Sequence, residues 1–115
     1  MTNASALAKP LLAASLLAFG GPTPASREVP KILGSAAFER DGALFITFDE
    51  GEGGTDGPIG LIALSRYAKG GAYSNTIRYT HGSLLRTVQH VFKVTPLLGD
   101  AANATDLGDL FADWR

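Results

Sequence analysis

The chain has 115 residues, with ten Lys and Arg against eleven Asp and Glu and a formal net charge of −1. That length suits one small domain with one core, and 45% hydrophobic with 18% charged residues excludes a disordered chain. The balanced charge leaves no basic stripe, which argues against nucleic acid or an anionic membrane as partner, and the absence of cysteine excludes disulfides and thiolate metal sites.

No apolar run is long enough to span a bilayer. Lys9 precedes an apolar stretch, 11–19, of the length of a signal-peptide core, and Thr23-Pro24-Ala25 offers small residues for cleavage. The alternative reading is an Ala/Leu-rich amphipathic helix or a non-native leader. Export would make the protein secreted or periplasmic; without it the chain is cytoplasmic. Gly20-Gly21-Pro22-Thr23-Pro24 is a cluster of breakers. It separates a signal-like or non-native leader, 1–27, from the rest of the chain, 28–115.

Beyond the breakers, Pro30 suits the first turn of a helix. Ile32, Leu33, Ala36 and Ala37 follow at helical spacing, and Gly42 supplies the stop. Residues 43–48 read as a buried strand, 50–58 as a loop with four glycines, and 59–64 as a second apolar strand. The connection 65–80 is long, and long connections in compact domains are usually functional. Residues 83–92 predict a helix capped by Thr80, with Leu84, Leu85, Val88, Val91 and Phe92 on its buried face. A loop over 95–105 and a short turn over 107–111 end the chain. The order helix, strand, strand, helix gives an α/β class. Two or three strands buried on both faces need further cover, so self-association through uncovered sheet faces is expected.

The chemistry concentrates at Phe48-Asp49-Glu50-Gly51. Adjacent carboxylates at the end of a buried strand are costly if desolvated, and a divalent cation is a common neutraliser. Asp49 and Glu50 are therefore candidate metal ligands, with a solvated strand end as the bland alternative. His81 would open the second helix, where an imidazole can ligate a metal, donate to phosphate or simply pack. Arg86 reads as a phosphate ligand by charge or as a solvated helix-face residue, His90 as exposed, and Ser74-Asn75-Thr76 as turn chemistry. Asp100 and Asp106 read as caps or turn residues. Gly51-Glu52-Gly53-Gly54 is no phosphate cradle, because no Lys-Ser/Thr follows.

Five collinear blocks carry a family resemblance: Leu44-Phe45-Ile46-Thr47-Phe48-Asp49-Glu50-Gly51, Gly57-Pro58-Ile59-Gly60-Leu61-Ile62-Ala63-Leu64-Ser65, Tyr73-Ser74-Asn75-Thr76-Ile77-Arg78-Tyr79-Thr80-His81, Leu84-Leu85-Arg86-Thr87-Val88-Gln89 and Leu97-Leu98-Gly99-Asp100-Ala101-Ala102. Over 29–111 the chain resembles the C-terminal part of the phosphoesterase family, which includes bacterial acid phosphatases and phospholipase C-like enzymes within the alkaline-phosphatase-like superfamily. The resemblance implies a partial three-layer α/β/α sandwich and metal-assisted hydrolysis of a small phosphate ester. It implies that Asp49 and Glu50 hold a divalent metal and that His81 shapes the substrate site. Two departures stand out. Gly82 replaces the family's common serine after the histidine, which is expected to loosen the helix start. Arg66 stands where the family often has proline.

The family's serine or threonine nucleophile and its early Glu-Asn metal ligands precede the Asp-Glu strand, and nothing in 1–29 resembles either. The chain thus reads as a C-terminal fragment behind a short leader, with no catalytic nucleophile to assign. The rival expectation is a non-catalytic small α/β module that binds a divalent metal or a phosphate-bearing ligand without turnover.

Overall fold

Gly34 and Ser35 cut the first helical stretch in two. In the computed structural model, which describes residues 12–13, 24–51 and 57–113, helix α1 spans Pro24–Leu33 and helix α2 spans Ala36–Asp41. The helix expected to start at Pro30 instead carries that proline inside α1. The leader boundary between 27 and 28 falls within the same helix. Ser35 ends one helix and starts the next. Its hydroxyl donates to the Ile32 carbonyl at 2.7 Å and accepts from the Phe38 amide at 3.2 Å. That second bond satisfies one of the free donors at the start of α2.

Gly42 stops α2, as expected, through close approach and not through a left-handed turn. Its φ is −76° and its amide donates to the Phe38 carbonyl at 3.0 Å. A Cβ at this position would lie 2.4 Å from the Phe38 Cα.

Strand β1 (Leu12–Ala13) pairs in parallel with β2 (Ala43–Thr47), which pairs antiparallel with β3 (Leu61–Ser65). The sheet order is β1-β2-β3. Apart from Leu12 and Ala13, the signal-like stretch 11–19 lies outside the described residues. The class is mixed α/β. In β2, Ala43, Leu44, Phe45 and Thr47 are all buried, so both faces of this strand are covered, as the apolar run predicts. Strand β3 departs from expectation. It is the edge of the described sheet, its residues are half-buried at best, and Ile62 is 54% exposed. The sheet ends are tied by side chains: the Ser65 hydroxyl donates to the Gly42 carbonyl and the Thr47 hydroxyl to the Gly60 carbonyl, both at 2.9 Å.

The chain divides into two units, one of residues 12–66 and one containing the described residues from 67 onward. In the second unit, helix α3 spans His81–Val91, followed by 3-10 turns at Gly99–Ala102 and Gly108–Leu110. The face that α3 buries corrects the sequence reading. Gly82, Ser83, Thr87, Gln89 and Val91 are buried, while Leu85 and Phe92 are 40% and 48% exposed. Leu84 and Val88 are half-buried.

The reason is the irregular chain that α3 packs against. Backbone groups in a loop need polar partners when they are covered. Thr87 takes the Leu107 amide on its hydroxyl at 2.9 Å and donates to the Ser83 carbonyl at 2.7 Å. Gln89 donates to the Pro96 carbonyl and accepts from the Leu98 amide. Arg86 donates to the carbonyls of Ala101 and Ala102, both at 3.1 Å. Around these bonds, Val91, Ala101, Leu107 and Phe111 form the apolar core of the unit.

Two substitutions test this account. Gly42→Ala forces the α2 backbone apart and is expected to destabilise by about 1–3 kcal/mol in urea unfolding. Thr87→Val keeps the shape but strands the Leu107 amide and the hydroxyl's own acceptor. A loss of about 1–3 kcal/mol in the same measurement is expected.

Candidate functional site

Asp49 and Glu50 lie two and three residues past Thr47, the last residue of β2, in an exposed bend. The last residue before them, Phe48, is 40% exposed, and its ring lies 3.6 Å from where a Gly60 side chain would start. The strand thus keeps its neighbour until the carboxylates are reached. Asp49 Oδ1 accepts the Glu50 amide at 3.0 Å, and both residues are exposed. Exposure changes the electrostatics foreseen from sequence. In water two carboxylates about 4 Å apart repel by only about 1 kcal/mol, so the pair does not by itself demand a cation. Residues 52–56 of the glycine-rich loop lie outside the described residues.

His81 is the exposed first residue of α3. It belongs to the second unit, whereas Asp49 and Glu50 belong to the first. The helix start beneath His81 is held firmly. The Thr80 amide donates to Ser83 Oγ at 3.0 Å, and the Ser83 amide donates to the Thr80 carbonyl at 2.9 Å. Gly82 has a packing reason: a Cβ there would stand 3.1 Å from Asp100 Oδ2 and 3.2 Å from its carbonyl. The residue expected to loosen the helix instead lets the 3-10 turn approach it. Among the described residues, no group of three or more His, Asp or Glu side chains is placed to share a metal ion.

The other sequence candidates have structural work. Arg86 spends its Nη1 on the two carbonyls of the 3-10 turn. Asp106 forms a turn of the expected kind, accepting the Gly108 amide at 2.9 Å. His90 is exposed, as read from its place on the polar face.

The most connected polar cluster was not foreseen. Asp109 Oδ1 pairs with Lys69 Nζ at 3.1 Å, while Oδ2 accepts from the Tyr73 hydroxyl and the Asn75 amide, both at 2.7 Å. Asn75 also donates to the Tyr79 hydroxyl at 3.1 Å, and Lys69 Nζ lies 4.3 Å from the centre of the Tyr73 ring. The backbone reinforces this join: the Lys69 amide donates to the Leu110 carbonyl and the Ala112 amide to the Tyr67 carbonyl, both at 2.9 Å. Asp109 stands at the far end of the sequence from its partners, so no local spacing could announce it. The available signal was compositional: residues 66–80 hold three cations, three tyrosines and no acid.

The cluster tunes its own titration. The Tyr73 hydroxyl, the Asn75 amide and then Lys69 hold the Asp109 carboxyl below the ordinary aspartate range. Asp109 in turn holds the Lys69 ammonium above the ordinary lysine range, against a smaller opposing effect of burial. Burial raises the Tyr79 phenol, against the Asn75 hydrogen bond.

A carboxyl whose folded value is lowered stabilises above its unfolded value and loses that contribution as pH falls through the folded one. The stability difference between wild type and Asp109→Asn is therefore expected to be constant from neutral pH to about pH 4 and to shrink below it. Thermal melts at a series of pH values check this. In comparisons with known proteins, no family model, no curated protein and no solved structure matches the chain.

Proposed function

We propose that residues 29–111 form the C-terminal part of a phosphoesterase of the alkaline-phosphatase-like superfamily, and that Asp49 and Glu50 supply part of its divalent-metal site. The observation that carries the reading is the abrupt change along β2. Ala43, Leu44, Phe45 and Thr47 are buried, the strand ends at Thr47, and past the exposed Phe48 come two exposed carboxylates followed by glycine. Hard divalent cations take carboxylate oxygen, and the metal would polarise the phosphoryl oxygens of a small phosphate ester. His81, which the resemblance casts as shaping the substrate site, stands at the exposed start of α3 in the other unit and is assigned no contact with the Asp49–Glu50 pair. The nucleophile lies outside the matching blocks, so no residue here is assigned that role.

The proposed setting is a three-layer α/β/α sandwich of which the described sheet is one part. The partly exposed Ile62 and Phe48 support it, because they leave apolar sheet surface for a further layer or a second chain to cover. The choice of metal follows from the same assays.

The test pairs calorimetry with turnover. Wild type, Asp49→Ala and Glu50→Ala are melted with and without manganese, zinc, magnesium or calcium. They are then incubated with a chromogenic phosphate monoester. Free metal at about a hundred times Kd is expected to add about 2.7 kcal/mol of stability to wild type, and both substitutions are expected to abolish the gain. Turnover lost in Asp49→Ala establishes the hydrolase. Stabilisation without turnover establishes the rival reading, a module that binds metal or a phosphate-bearing ligand. No metal response in a folded sample removes the proposed site.

A further inference from the structure

The long connection 66–80 is fastened to its unit in an uneven way. Among the described residues, its backbone hydrogen bonds to the rest of the unit sit at its two ends. Tyr67 and Lys69 pair with Ala112 and Leu110, and Thr80 bonds Ser83. Between these ends the chain turns through Gly71 and Ala72, whose φ values are +68° and +55°. Cβ atoms added at Gly70 or Gly71 would meet nothing within 4 Å. The Ile77 amide bonds only locally, to Asn75 Oδ1. Tyr73, Ser74, Thr76, Ile77 and Arg78 are exposed. The middle of the loop is thus held to the second 3-10 turn through Tyr73 and Asn75, which share one oxygen of Asp109.

Helix α3 has separate fastenings. Thr87 bonds Leu107, Arg86 bonds the first 3-10 turn, Gln89 bonds Pro96 and Leu98, and Gly82 lies against Asp100. None of these passes through Asp109. Such separately held segments can open with very different free energies.

We infer that Asp109 is a positioning residue, a latch whose Oδ2 holds residues 70–79 as a closed strap against the second 3-10 turn while Oδ1 pairs with Lys69 at the base of the loop, and that removing its charge frees the strap while α3 stays packed. Hinges for the opening are Gly70 and Gly71 at one end and the stretch before Thr80 at the other. The strap then carries Tyr73, Asn75 and Arg78 outward as a unit. The Ala68–Phe111 bridge keeps the base of the loop in place.

Hydrogen exchange on the full chain at neutral pH tests the latch. In Asp109→Asn, amides of 70–79 are expected to exchange roughly tenfold faster or more than in wild type, with those of 83–91 unchanged. Asn75→Ala removes one arm of the latch and is expected to fall between the two. Trypsin provides a second readout, with cleavage after the exposed Arg78 expected to accelerate in the same order. Unchanged exchange over 70–79 in both variants overturns the latch. So does equal acceleration of 70–79 and 83–91, which would make the carboxylate a support of the whole unit. If Asp109→Asn does not fold, Asn75→Ala decides by the same criteria.

Discussion

The second unit depends on a hydroxyl group at the centre of α3. Thr87 is fully buried, and its oxygen is the meeting point of the helix and the chain that returns across it. A methyl group there would fill the space and satisfy nothing. The Leu107 amide would lose its partner in a place that water does not reach, and an unmade bond of this kind costs more than a made bond contributes. Gln89 and Arg86 repeat the device at either side. The helix therefore packs by hydrogen bonds against irregular chain and leaves much of its apolar side near solvent.

The first unit works by the opposite rule. Strand β2 is uniformly apolar until Thr47 and is buried on both faces. Its side chains need no partners, only cover, and its backbone is paired on both sides by β1 and β3. Polar side chains appear where the ladder ends, at Ser65 and Thr47. The outer strand β3 is less covered, with Ile62 turned to solvent. Among the described residues the sheet is thus buried along its centre and more exposed at β3.

What could be read from sequence follows from the range of the interactions involved. Strands β2 and β3 were legible because burial and chain composition are local, and α3 was legible because Thr80 and the following apolar period announce it. The face of α3 was misread because periodicity scores apolar residues and cannot know that the packing partner is a loop. Gly82 was misread for a related reason: its value lies in the approach of Asp100, a residue from another element. The break at Gly34 and Ser35 was missed, although serine is a recognised helix starter. The Asp109 latch was invisible, since a carboxylate and its three donors from a distant loop leave no pattern of spacing.

The carboxylates at the rim show how a structure can change the argument for a site without removing it. From sequence, Asp49 and Glu50 were notable because adjacent carboxylates at the end of a buried strand are costly if desolvated, and a cation is a common neutraliser. Both are exposed, so hydration weakens that demand. A metal held there would be bound by chelation and by whatever further ligands join it. That is a weaker grip, and under the proposed reading it would suit hydrolysis better than a closed cage. A catalytic metal must keep coordination positions for water and substrate, whereas a fully ligated one is structural. Under the proposed reading, exposed carboxylates just past the end of β2 would leave such positions for water and an ester.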